Sequence, residues 1–291
     1  MIPKAVLRCT ANKFCKTDIL WRYLRLIRGD IVEETWQLFS GERYQPQSRP
    51  VIANTYAYRN GERVAWHSHE QLQFVFTTRG VLRIITNGGT WTLGPHRGLL
   101  LIPRIGHELH AIGETLMHSI YIEPDRWINH KENCSVLMVS SLLRELTLEM
   151  VKERKLEKYT LTEMITPLLL QGLFEAQELQ EGCLPLPADR RLQKICKGLM
   201  TAPANCESLK AWADRIGTSD RTLSRLFLQQ TGYTFGQWRQ QLRLVESISR
   251  LAKGMPVATI AAELGYRSSS AFITMFKKAM GDTPQGYFKR S

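Results

Sequence analysis

No stretch of the 291 residues approaches the roughly 20 consecutive apolar residues that span a bilayer. The longest apolar run, Leu99 to Pro103, is strand-sized. Arg22, Arg25 and Arg28 break the first thirty residues before any secretory apolar core can form, so a cytoplasmic protein without membrane attachment is expected. The six cysteines (Cys9, Cys15, Cys134, Cys183, Cys196, Cys206) form no C-x-x-C pair, which argues against a zinc ribbon and for free thiols in a reducing compartment. Acidic residues are scarce in one region only: residues 186–291 carry 17 basic against 7 acidic groups, holding most of the formal net charge of +12. Histidine is missing from that same region, since all seven histidines fall between His67 and His130. A basic, histidine-free part beside a nearly neutral part with every histidine indicates two domains with two jobs.

What is present divides accordingly. Residues 1–50 are basic and unplaced, with Asp18 to Ile27 readable as a short amphipathic helix in an N-terminal extension of unknown role. From Val51 to about residue 130 the pattern is β: Gln71 to Thr78 alternates with a period of two, and Arg79-Gly80 punctuates it. Val81 to Thr86 then ends at Asn87-Gly88-Gly89, a hairpin signal. Trp91 to Leu93, Leu99 to Ile102 and Ser119 to Ile122 add short strands, as a barrel or sandwich requires. Over residues 131–187 the period becomes helical, with Val139, Leu142, Leu143, Leu146 and Met150 on one face and Leu161, Met164, Ile165, Leu168, Leu169 and Leu173 on another. Pro167 predicts a late start or a kink in the second helix. This connector packs on the β domain or pairs with a second subunit, and Leu184-Pro185-Leu186-Pro187 closes it as a linker.

Residues 188–291 contain an internal duplication. Ala213 and Gly217 match Ala261 and Gly265, while Phe227, Gly232 and Trp238 match Phe276, Gly281 and Tyr287. In each copy a small residue lets two helices approach, and a glycine four residues later makes the turn between them. Leu223, Leu226 and Phe227, or Phe272, Met275 and Phe276, face inward. Asp220 and Ser268 are the expected N-caps. The units span about residues 206–227 and 254–277.

The stretches SDRTLSRLF, FGQWRQQLRL, VATIAAELGY and SSSAFITMFKK with GDTPQGY resemble the DNA-binding domain of the AraC/XylS family of bacterial transcription regulators. That resemblance implies seven helices forming two helix-turn-helix units on a long helix, here roughly Phe235 to Ala252. It also implies that both second helices enter the major groove of an operator. Carried over, the first reading helix offers Arg221, Thr222, Ser224 and Arg225. The second offers Ser269, Ser270, Ala271 and Thr274, with Lys277 and Lys278 at phosphates. Thr274 stands where the family often has arginine. RNA polymerase is a further partner the resemblance implies.

In the β domain, Gly61-ERVAW-His67-Ser-His69-EQL-Gln73-FVFTTR-Gly80 resembles the first cupin motif, with Gln73 in the place of its acidic ligand. Ile102-Pro103-Arg-Ile-Gly-His107 resembles the second. His67, His69 and Gln73 share strand parity and can face one interior, with His107 joining from a later strand. Three readings stand: a divalent metal site, a metal-free pocket for a small-molecule effector, and histidines satisfied by barrel backbone. Catalysis is disfavoured, because Gln73 lacks a carboxylate's charge and Glu70 has the wrong parity.

The expected protein is therefore an α+β two-domain regulator, not an enzyme. An N-terminal cupin-like β-barrel with a helical connector precedes a C-terminal all-α domain with two helix-turn-helix motifs. The alternative is a cupin metalloenzyme carrying a DNA-binding domain.

Overall fold

The computed structural model describes residues 38–39, 49–127, 134–155, 160–179 and 182–288. The Asp18 to Ile27 helix, Cys9, Cys15 and His130 lie outside them. Strands are β1 (Leu38–Phe39), β2 (Val51–Tyr58), β3 (Arg63–His67), β4 (Leu72–Thr86), β5 (Gly89–Leu93), β6 (Arg97–Leu101), β7 (His107–Ile122), β8 (Ser135–Met138), β9 (Glu178–Leu179) and β10 (Cys183–Pro185). Helices are α1 (Ser141–Lys155), α2 (Thr160–Glu175), α3 (Arg190–Thr201), α4 (Leu209–Ile216), α5 (Asp220–Thr231), α6 (Phe235–Ala252), α7 (Val257–Glu263), α8 (Ser269–Met280) and α9 (Pro284–Tyr287). None of the described helices is long and apolar enough to cross a membrane.

The sheet is built on one long antiparallel pair, β4 against β7, in register from Leu72↔Ile122 to Thr86↔His107. The two short strands expected on either side of Arg79-Gly80 are a single bent strand. Gly80, at φ +73°, occupies a bulge where a Cβ would lie 2.6 Å from the Glu114 carbonyl oxygen. Glycine there bends the strand without ending its ladder. Strand β7 likewise extends far beyond Ser119 to Ile122, because Glu108, His110 and Glu114 interrupt its apolar alternation but not its pairing. The sheet path runs β1-β3-β7-β4-β6-β8-β9 and is not closed, so the barrel is a cupin-like curl with open edges. Residues 135–138 and 183–185 are strands joined to this sheet, which corrects the purely helical reading of the connector.

Alternation on β4 assigns the two faces. Leu72, Phe74 and Phe76 pack outward with Leu143, Met150, Ile165 and Leu169 of α1 and α2. Val75, Leu82 and Ile84 fill the interior with Leu93, Leu99, Leu109 and Met117. Helix α2 runs through Pro167 and starts before it, tied down where the Leu161 and Thr162 N–H groups donate to the Glu153 carboxylate.

The duplicated region forms two cores sharing α6. Leu242 and Val245 face the first, with Ile195, Trp212, Leu223, Phe227 and Trp238. Leu244 and Ile248 face the second, with Ile260, Ala261, Phe272, Phe276 and Tyr287. The first helix of each helix-turn-helix carries a buried alanine, and Gly217 makes the first turn at φ +74° as a left-handed cap. The α5 cap is Ser219, whose hydroxyl accepts the Thr222 N–H, so Asp220 is the first helical residue. An acidic side chain suits that position as well, beside the positive end of the helix dipole. Ser268 caps α8 as expected. Cys183, Cys196 and Cys206 are free thiols.

Candidate nucleic-acid interface and histidine centre

Helix α5 buries Leu223 and Phe227 and leaves Arg221, Ser224 and Arg225 exposed; Leu226 is half-buried. Thr222 is half-buried and its hydroxyl lies 2.9 Å from Ser219 Oγ, so it serves the cap as well as the surface. Helix α8 buries Phe272 and Phe276, with Met275 half-buried, and exposes Ser270, Ala271, Thr274, Lys277 and Lys278; Ser269 is half-buried. Both reading faces thus lie in solvent beside a helix N-terminus, where orphan N–H groups favour phosphate oxygens. Sequence reasoning passed over Arg267, exposed immediately before the α8 cap, because it sits in the turn.

Several other cations of this domain are occupied internally. Arg239 donates to Glu207 O and lies over Phe235, while Arg243 donates to Pro203 O and lies over Tyr266. Arg215 pairs with Glu207, and Arg250 with Glu246 and Glu263.

In the sheet, one potential ligand atom from each of His67, His69 and His107 lies within 4.8 Å of the others. They do not share one strand. His67 ends β3, His69 lies in the following turn, and His107 opens β7 opposite His67. Each ring is pinned through Nδ1 to a carbonyl: His67 to Ala65, His69 to Gln71 and His107 to Ile105, all at 2.8 Å. A carbonyl only accepts, so each Nδ1 carries the proton and each Nε2 keeps its lone pair in the neutral ring. The Nε2 of His107 is buried without a hydrogen-bond partner. Burial, then repulsion from His67, pushes the His107 pKa down to about 3. Burial also lowers His67, so both rings are neutral at pH 7.

Gln73 lies on β4, 1% exposed, with its amide 3.0 Å from His69 Nε2. The amide's other side meets Ser119 Oγ at 2.6 Å and Tyr121 Oη at 3.2 Å. The amide nitrogen donates to both of those hydroxyls, which leaves Oε1 facing His69 Nε2 and the centre. Glu70 points away and pairs with Arg104 at 2.7 Å on the surface.

Tyr121 stacks edge-on against His69 at 5.5 Å, and the Asn54 amide donates to Tyr56 Oη across 3.1 Å. These polar neighbours were legible only through register, since Ser119 is opposite Asn54 and Tyr121 opposite Gln73. The remaining described histidines are elsewhere. His118 sits on the outer face between Thr55 and Thr78, its pKa pushed down to about 4 by burial and then by Arg144. His110 pairs with Glu108, and His96 is exposed.

Two exposed helices on a duplicated helical domain, joined to a curled sheet that gathers three histidines, define a helix-turn-helix transcription regulator with a ligand-binding domain. Residues 212–290 match the family described as "Helix-turn-helix domain", and residues 49–155 match "AraC-like ligand binding domain". The chain is 30% identical over 227 residues to the HTH-type transcriptional regulator NimR of Escherichia coli, covering 77% of this chain and 82% of that one. It therefore belongs to the AraC family of regulators. It is also 29% identical over 122 residues to the arabinose operon regulatory protein of Escherichia coli, covering 41% of this chain and 42% of the other. Among solved structures, unsaturated fatty acid-bound ToxT of Vibrio cholerae aligns with a TM-score of 0.35 and 15% identity, over 84% of this chain and 97% of that one.

Proposed function

We propose that this AraC-family regulator reads an operator with α5 and α8 and senses an effector at the histidine centre. The exposure of both reading faces, with the helices' aromatic residues turned into the two cores, carries the first half. Arg221, Thr222, Ser224 and Arg225 present the first half-site contacts, and Ser269, Ser270, Ala271 and Thr274 the second. Lys277 and Lys278 supply phosphate contacts, whose affinity falls with salt by a log–log slope of about −0.9 per phosphate neutralised. Arg225→Ala is expected to weaken operator binding by about 1–3 kcal/mol with relaxed choice at one base pair, measured by titrating single-base operator variants. An equal loss on every sequence would demote Arg225 to a phosphate contact.

The sensing half rests on the three pinned imidazoles and the unpartnered His107 Nε2. Neutral nitrogens whose opposite N–H is fixed by a carbonyl are the outer-shell arrangement of metal-ligating histidines. His67, His69 and His107, with the Gln73 amide as a weaker donor, fit a divalent metal of the Zn, Ni, Fe or Cu class. Such an ion would supply positive charge in a site of neutral donors, an anchor for an anionic effector. A metal-free effector would meet the same groups as hydrogen-bond partners. Regulation, not catalysis, suits a centre with Gln73 where a carboxylate would stand.

The family also suggests work in the cytoplasm, contact with RNA polymerase and self-association. For the last, Leu161, Met164 and Leu168 are 37%, 69% and 59% exposed along α2. A second copy of this chain covering that stripe is the occupant we favour. Met164→Glu with Leu168→Glu is expected to convert a dimer to a monomer in sedimentation, with far-ultraviolet circular dichroism unchanged because both side chains are exposed on the single chain. A variant that remains dimeric would place the interface elsewhere.

A further inference from the structure

The sensor sheet holds the two helix-turn-helix units unequally. The first unit meets it at the edge strand β10, where Leu184 joins its core and Trp238 Nε1–H donates to Pro185 O at 2.8 Å. The second is held by the body of the sheet at separate points. Val81 of β4 is fully buried in the second unit's core, with Ile112 packed beside it. Arg83 of β4 donates to Glu246 at 3.1 Å and to Ser249 at 3.0 Å. Glu246 accepts from Arg250 at 2.7 Å, and Arg250 reaches Glu263 of α7 at 3.1 Å. Burial alone would raise the Glu246 carboxyl, and Arg83 and Arg250 bring it below its ordinary value.

One further contact reaches the second reading helix itself, and another reaches it through Tyr287 of α9. Arg97, 6% exposed at the start of β6, donates to the carbonyl of Ala279 in the last turn of α8. The final carbonyls of a helix have no partner within it and form the negative end of its dipole, so a guanidinium suits that place. Tyr287, which packs against Phe276 of α8, donates from its hydroxyl to Pro95 O at 3.1 Å. The fit is close, for a Cβ on Gly94 would lie 2.8 Å from the Tyr287 ring.

These contacts leave Ser270, Ala271 and Thr274 exposed, as they do Arg221 and Arg225. The dock therefore covers a different side of α8 from the one that would face DNA. Two reading helices must meet successive groove segments at one fixed separation, so whatever fixes α8 enters operator affinity. We infer that Arg83, Arg97 and Tyr287 are positioning residues for operator reading, through which the sensor sheet sets the second reading helix relative to the first. The same β6 strand runs on through a loop into His107, and in that loop the Arg104 N–H donates to His69 O at 2.8 Å. A single continuous segment thus joins the last turn of α8 to the histidine centre.

The test uses the full chain and a duplex selected by that chain from a random-sequence pool, beside an unrelated duplex at the same salt. Arg97→Gln and Tyr287→Phe are expected to lower affinity for the selected duplex about tenfold, and to weaken backbone protection over the half read by α8. Affinity for the unrelated duplex should stay within about twofold, and Arg97→Lys should recover most of the loss. Tyr287→Phe keeps the ring and its packing, so it remains informative if Arg97→Gln folds poorly. Equal losses on both duplexes, unchanged binding to the selected one, or tighter binding to it would each overturn the inference.

Discussion

Trp238→Ala is expected to destabilise the C-terminal domain by about 3–5 kcal/mol, the range for removing a large buried aromatic side chain. Trp238 is fully buried, lies edge-on to Phe227 at 6.3 Å, and stands in the first turn of α6 between the first core and β10. Truncation leaves a cavity that Leu223, Phe227 and Phe235 cannot refill without disturbing the turn at Gly232. It also strips Pro185 O of its indole donor, and an unsatisfied buried polar group adds roughly 1–3 kcal/mol. Against a typical total of about 5–15 kcal/mol this is a large fraction. Calorimetry should show the domain's transition falling by more than about 10 °C. Trp238→Phe, which keeps most of the ring and loses the hydrogen bond, should fall between. Leu228→Ala, at a side chain 54% exposed, should stay within about 0.5 kcal/mol. A small shift for Trp238→Ala would show that β10 and the first unit are not one packed body.

Added Zn(II) is expected to raise the melting temperature of the sensor domain, and His107→Ala to abolish that rise. A ligand that binds only the folded state stabilises it by RT ln(1 + [L]/Kd), about 4 kcal/mol at a thousandfold excess over Kd. No such arrangement of three lone pairs exists in the unfolded chain, so most of the binding energy appears as stability. His107 contributes a buried Nε2 with no protein partner, and alanine there removes a donor that nothing nearby replaces. The exposed His96 is the control: His96→Ala should leave the Zn(II) response intact. Elemental analysis should find metal in the parent protein and none in His107→Ala. Metal-free protein with no Zn(II) response would return the centre to a hydrogen-bonding pocket.

The helical repeat could be read from the chain because each unit is local. Ala213 and Gly217, or Ala261 and Gly265, sit four residues apart, and Leu223 with Phe227 follows helical spacing, so sequence distance and spatial distance coincide. The cap on α5 was misplaced by one residue, since Ser219 and Asp220 are both good caps and only backbone geometry chooses between them. In the sheet the same reasoning was weaker. Gly80 reads as a strand end but is a bulge, and the polar alternation of His107 to Thr115 hides a strand paired on both sides. The histidines could be noticed by type and spacing. His69 reaches the centre through a turn and not by strand parity, while Tyr121 and Ser119 arrive through cross-strand register alone.

By itself, the sequence determined the division of labour: a basic duplicated helical region, a β region holding all the histidines, and the residues that each reading helix can present. These follow from composition and from periodicities that span only a few residues. Tertiary structure alone decided the tautomers of three imidazoles, the partners of Gln73, and the clasp of Arg83, Arg97 and Tyr287 between sheet and helical domain. Those depend on groups as far apart in the chain as Arg97 and Ala279, and no local pattern distinguishes a strand arginine in solvent from one that caps a distant helix.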